Sequence, residues 1–290
     1  MLMPSSSRFA AAARIAGPPA LPSALAATAR MARPSVSPSR LGAAAGIAGP
    51  AAFTCAWIVA SLRQTGHSAF AVQLSGLAAP DARDPGIMIT GFVVLGACLV
   101  AFGGSLHRAL GGSGRAAVSP GAAGLGVRAG GRRLRRVRPR RRPDPDPCRA
   151  DPGPCRAGLG PRLIQWAGAL TIAAGLLRRD HMMLGLPGES WHNHAHDVVS
   201  SIIYLTLVVA PLLLAARFRG DASWQRLSVP LVVGAAATSG ALAVFVSSAF
   251  GSWDPALQRV AVTIPLAMLT AVALRLITVT ASRAGSRTSG

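Results

Sequence analysis

The sequence predicts an all-α membrane protein, a six-helix transmembrane bundle whose N- and C-termini both face the cytoplasm. Three observations carry that expectation: five apolar runs of spanning length, a one-sided distribution of arginine, and tryptophans placed at the ends of apolar runs. Hydrophobic residues make up 51% of the chain, yet its net charge is +20. Position resolves the conflict, because the arginines are concentrated outside the apolar runs. Every basic residue is arginine and none is lysine. Together with the abundance of Ala, Gly and Pro, this points to a gene of very high GC content and a bacterial inner membrane.

A hydrocarbon core about 30 Å thick takes roughly 20 residues of α-helix to cross. Residues 41–62, 87–106, 198–216 and 229–249 meet that length without a charge. Residues 260–281 are broken only by Arg275, near enough to one end for its guanidinium to reach the interface. A sixth run, 163–177, has only 15 residues; carried back to Gly158 it reaches 20 but takes in Pro161 and Arg162. The topology closes only if this run is a helix. With six helices, 25 of the 30 arginines fall on the side of the N-terminus, and only Arg63, Arg83, Arg178, Arg179 and Arg259 fall on the other. The positive-inside bias makes the first side cytoplasmic. Without the short helix, Arg217, Arg219 and Arg226 would move outside, a worse partition.

Smaller features agree. Trp191 and Trp253 fall at outer ends and Trp166 and Trp224 near inner ones, as interfacial belts require. Pro230 opens the fifth helix, where its missing N–H costs little, and Pro265 lies inside the sixth and predicts a kink. Gly42, Gly46 and Gly49, and Gly168 with Gly175, allow helices to approach closely. Cys55 and Cys98 sit in apolar runs, where a free thiol behaves as a small hydrophobe. Cys148 and Cys155 are spaced too widely for a zinc or redox pair.

The expected organisation is a disordered tail over 1–40, helices one and two over 41–112, a disordered Arg/Pro-rich cytoplasmic insert over 113–157, helices three to six over 158–281, and a C-terminal tail over 282–290. Nine arginines crowd residues 128–142. Charge this dense, with Pro and Gly throughout, cannot bury enough apolar surface to fold. No aromatic residue is interleaved with these arginines, so the stacking platforms of single-strand nucleic-acid binders are absent and no nucleic-acid partner is expected. The partners expected are the lipid bilayer and, at the arginine-rich loop, anionic lipid headgroups. A reading-frame slip in a GC-rich gene is a second account of the stretch.

One constellation has chemical potential. Four of the six histidines, His181, His192, His194 and His196, lie between the third and fourth helices with Asp180, Glu189 and Asp197. Pro187 and Gly188 break the chain, and Ser190 suits the N-cap of the fourth helix. His192 and His196, four apart, share a helix face, and Glu189 projects near it; His194 points the other way. Histidines at that spacing with a carboxylate can chelate a divalent ion such as zinc. Asp180, Glu189, His192 and His196 are therefore the metal candidates, with His181, His194 and Asp197 as further polar residues of the outer face. The competing reading is a hydrogen-bonding network at the water–lipid boundary, with no cofactor. No carboxylate or histidine lies deep within a predicted helix, which argues against a proton-driven pump.

Three blocks, GIAGPAAFTCAWIVASLRQ, LSGLAAPDARDPGIMITGFVVLGACLVAFG and GLLRRDHMML with GESWHNHAHDVVS, make the chain resemble the "domain of unknown function 998" family of prokaryotic multi-pass membrane proteins. The resemblance covers about residues 42–112 and 158–280 and implies a multi-helix membrane architecture. It also singles out an Asp after the third helix and a His opening the fourth, matched here to Asp180 and His196. The family carries no activity over, and the long arginine-rich insert departs from its pattern. Two functions stay open: a protein that binds or passes a small or lipid-like ligand at the outer polar site, and a membrane-embedded metal-dependent hydrolase acting on lipid.

Overall fold

Bilayer interiors admit only backbone that satisfies its own hydrogen bonds, so apolar runs of this length become helices. The computed structural model describes residues 38–65, 72–111, 158–182, 190–247 and 253–285. Among them are six long helices: α1 (Pro38–Arg63), α2 (Pro85–Gly111), α3 (Leu159–Leu176), α4 (Trp191–Phe218), α5 (Ser228–Ser247) and α6 (Asp254–Gly285). All but α3 are long and apolar enough to cross a membrane. The short third helix forms from Leu159 onward, so Pro161 and Arg162 sit in its first turn. There a proline's missing N–H breaks no intrahelical bond. The arginine-rich stretch and residues 1–37 and 286–290 of the expected tails lie outside the described residues, as do Cys148, Cys155, Pro187, Gly188 and Glu189, whereas α1 begins inside the expected N-terminal tail and α6 runs into the C-terminal one.

The helices form a closed ring. Each packs on the next in sequence, α1 on α2 through to α5 on α6, and α6 returns to pack on α1. Lipid is as apolar as leucine, so helices in a bilayer associate by close packing rather than by hydrophobic exclusion. The glycines serve that end. A side-chain carbon at Gly42, Gly46 or Gly49 of α1 would collide with Ser105, Phe102 or Cys98 of α2. Gly96 of α2 and Gly168 of α3 face each other so closely that a carbon on either meets the other's carbonyl oxygen. Gly175 receives Phe92 in the same seam. Phe102, Leu99, Leu106, Phe218, Leu214 and Leu276 fill the interior. Leu62, Leu205, Val229 and Val246 point outward and remain exposed, as lipid-facing side chains should.

One tryptophan departs from the expectation. Trp166, Trp191 and Trp253 are exposed, but Trp224 is only 2% exposed and stacks on Phe218 with ring centroids 4.7 Å apart. A 3-10 turn at Gln225–Leu227 folds the α4–α5 connection back onto the end of α4, which turns a belt position into a core one.

The connection between α1 and α2 is also buried. Val72 to Ala79 are all buried, and they include a 3-10 turn at Gly76–Ala78. This apolar segment plugs one end of the ring. Asp84 receives Arg63 Nε at 2.6 Å, and Gln64 Oε1 accepts from the Arg83 N–H at 3.1 Å, so the feet of the plug are clipped together. At the opposite end Arg275 Nε donates to the Ser223 carbonyl at 2.7 Å, which holds α6 to the α4–α5 connection.

Candidate functional site

The plug is fixed from above α3 and from α6. Arg179, just past the end of α3, is 7% exposed and spends its guanidinium on three partners. Its Nη1 donates to Gln73 Oε1 at 2.9 Å, its Nε to Asn193 Oδ1 at 3.2 Å, and its Nη2 to both Asp197 oxygens at 2.8 and 2.9 Å. Gln258 of α6 accepts from the Leu74 N–H at 2.8 Å and donates through Nε2 to the Tyr204 oxygen at 3.0 Å. Asp81 Oδ1 takes the Met182 N–H at 2.8 Å, and Gly76 lies against the Met182 carbonyl too closely for any side chain.

Beneath the plug is a cavity of about 280 Å³ lined by residues of all six helices. Its polar end carries Gln73, Arg179, His196, Asp197, Ser200, Tyr204 and Gln258; its walls are Phe53, Phe92, Leu95, Leu99, Leu207, Phe245 and Leu266. Ser201 and Val246 also line it and are exposed, so the cavity reaches the surface between α4 and the end of α5. The volume stands at the lower end of the roughly 300–1,000 Å³ usual for small-molecule pockets. A few polar groups over apolar walls is the lining such pockets have.

The histidine and carboxylate candidates are spread over this end with different tasks. Asp180 accepts from the Ser190 N–H at 2.6 Å and from its hydroxyl at 2.7 Å. These two bonds, and then the nearby His181 and His192, hold the Asp180 carboxyl below the usual carboxylate range. Ser190 in turn caps α4, its hydroxyl accepting the His192 N–H at 3.2 Å, as the sequence predicts. His196, 2% exposed, places Nδ1 3.0 Å from the Ala174 carbonyl and 2.6 Å from that of Leu177. Two carbonyls can only accept, so Nδ1 carries the proton and His196 caps the C-terminal end of α3. Both residues picked out by the family resemblance therefore tie the end of α3 to the start of α4.

The remaining histidine candidates are more exposed than His196. His192 is exposed and stacks on Trp191 with centroids 3.8 Å apart. His194 is exposed. His181 Nδ1 lies 4.0 Å from Asp81, and both are partly exposed. Among the described residues no three His, Cys, Asp or Glu side chains come together as a metal-holding group. Glu189 lies outside those residues. Sequence reasoning counted Arg179 only as a topology charge and passed over Gln73, Tyr204 and Gln258. The signal available was compositional: Tyr204 is the chain's single tyrosine, and it and Gln73 stand within otherwise apolar stretches.

A family model described as "Protein of unknown function (DUF998)" matches residues 148–275, which takes in α3, α4, α5 and most of α6. The chain resembles that family over this part, and α1 and α2 lie outside the match. Comparison with curated proteins found no match, and comparison with solved structures found none either.

Proposed function

We propose that this multi-pass membrane protein binds or passes a small or lipid-like ligand in the cavity under the 72–79 plug. The observation that supports this reading is the cavity itself, with polar side chains gathered at one end and aromatic and leucine walls below. An amphiphile fits such a lining, its head among the polar groups and its tail against Phe53, Phe92 and Leu99. The opening lies beside Val246, itself exposed and apolar. By the arginine partition, this end faces the outside of the cell.

Native mass spectrometry of the purified protein tests the reading. A co-purified small or lipid-like molecule, near one per chain, is expected in the wild type and should be lost in Leu207→Trp, which fills the cavity. No such molecule in the wild type overturns the proposal, as does full retention in a Leu207→Trp protein that elutes and melts like the wild type. A zinc assay on the same material addresses the hydrolase alternative. One equivalent of zinc, lost in the His192→Ala/His196→Ala double variant, would favour it.

A further inference from the structure

The two ends of the ring differ in how their charge is matched. At the plug end, Arg63, Arg83, Arg178, Arg179 and Arg259 stand with five described carboxylates, Asp81, Asp84, Asp180, Asp197 and Asp254. Both arginine–carboxylate ion pairs among the described residues, Arg63–Asp84 and Arg179–Asp197, are there. At the opposite end Arg40, Arg108 and Arg162 come from α1, α2 and α3, and Arg217 and Arg219 from the end of α4. Arg226 precedes α5, and Arg275 reaches in from α6. The one described carboxylate at this end, Asp221, accepts the Ser223 N–H at 2.8 Å, and none of these arginines is paired with a carboxylate among the described residues. Residues 112–157, which join α2 to α3 at the same end, add twelve arginines and only three aspartates.

The third helix gives this surplus a seat. Its 18 residues span about 27 Å, just under a hydrocarbon core of about 30 Å, yet it packs between α2 and α4, which are long enough to cross. A helix this short brings its first turn, with Arg162, to the edge of the apolar layer. Arg162 is exposed and its side chain has no partner among the described residues. Trp166, four residues on and so on the same face, is 65% exposed, as is Leu176 farther along.

We propose that this end of the bundle binds anionic phospholipids, with Arg162 holding a lipid phosphate and Trp166 lying against the glycerol and upper chains of the same lipid. The site is separate from the cavity under the plug and does not depend on what that cavity holds. A guanidinium presents a planar fork of donors to phosphate oxygens. An indole favours the boundary just beneath the headgroups. Unmatched positive charge selects a net negative headgroup over a zwitterionic one, whose own cation offsets the attraction. Nucleic acid, the other common polyanion, has no chains to lie along the apolar stripe below Arg162.

Phosphatidylglycerol and phosphatidylcholine, titrated separately into the full-length protein in detergent and counted by native mass spectrometry, test the proposal. Phosphatidylglycerol is expected to bind at least about tenfold more tightly. Arg162→Gln should weaken phosphatidylglycerol about fivefold, while Arg162→Lys, which keeps the charge, retains the preference. Trp166→Ala should weaken both lipids alike, and Arg63→Gln, at the other end, should change neither. Equal affinity for the two lipids overturns the proposal. An undiminished preference in Arg162→Gln does so too, since the binding would then belong to other arginines. Displacement of phosphatidylglycerol by polyuridylate at equal phosphate concentration would mark a nucleic-acid surface and overturn it as well.

Discussion

Replacing Arg179 by methionine keeps the length of the stem and removes every donor. The structure sets the expected cost. Gln73 and Asn193, 8% and 4% exposed, each lose the donor to their side-chain oxygen. A buried acceptor left without a partner costs about 1–3 kcal/mol, so the two together cost about 2–6 kcal/mol. Asp197 adds less than about 1 kcal/mol, because its side chain is 48% exposed and water replaces the arginine there. A loss near ~4 kcal/mol lowers the melting midpoint of a chain this size by about 10 °C. The control is Arg63→Met, which breaks the Arg63–Asp84 pair, whose side chains are 53% and 33% exposed. Such a pair contributes about 1 kcal/mol or less. Thermal unfolding of both variants in the same detergent gives the comparison. Equal shifts for Arg179→Met and Arg63→Met, or no shift for Arg179→Met, would refute the reasoning that the guanidinium holds the plug.

Gly96→Ala places a carbon against the Gly168 carbonyl, a backbone atom that cannot rotate away, and should destabilise by at least about 1–3 kcal/mol; Gly86→Ala meets nothing within 4 Å and should be silent in the same melt. Asp180 is held ionised by Ser190, so its contribution is present above the unfolded carboxylate value near ~4 and disappears as pH falls through the lower folded value. The gap in melting midpoint between wild type and Asp180→Asn should therefore close on acidification below about pH 4, and a gap constant with pH would sink that assignment. Topology reporters fused after Gly112 and after Leu186 should read inside and outside respectively; the reverse pattern would invert the end of the bundle at which the cavity opens.

The helices were legible because a bilayer imposes a length, and five runs meet it without help. The third needed a second constraint, since Leu159–Leu176 includes Arg162 and only the arginine partition demands a crossing there. The Ser190 cap was legible from local chemistry alone. The plug was not: VQLSGLAA is too short to span and has no period that marks burial. Nor were its fastenings, because Gln258 lies 184 positions from Leu74 and Arg179 lies 106 from Gln73. The histidines were visible as a cluster, but spacing along α4 says nothing of the α3 carbonyls that claim His196. A ring nitrogen that caps a neighbouring helix and one that ligates an ion look alike in sequence.

The closing seam between α1 and α6 gives the molecule an order of birth. Five of the six helix pairings join elements adjacent in the chain and can form as synthesis proceeds. The sixth waits for the last helix. Until then the Leu74 N–H has no Gln258 to receive it, Tyr204 lacks its donor, and one wall of the cavity is missing. A ribosome-bound chain halted before α6 would thus carry a nearly finished ring with an open side facing lipid and no pocket. Any occupant can be captured only after the polypeptide is complete, and its capture would lock the final helix in place.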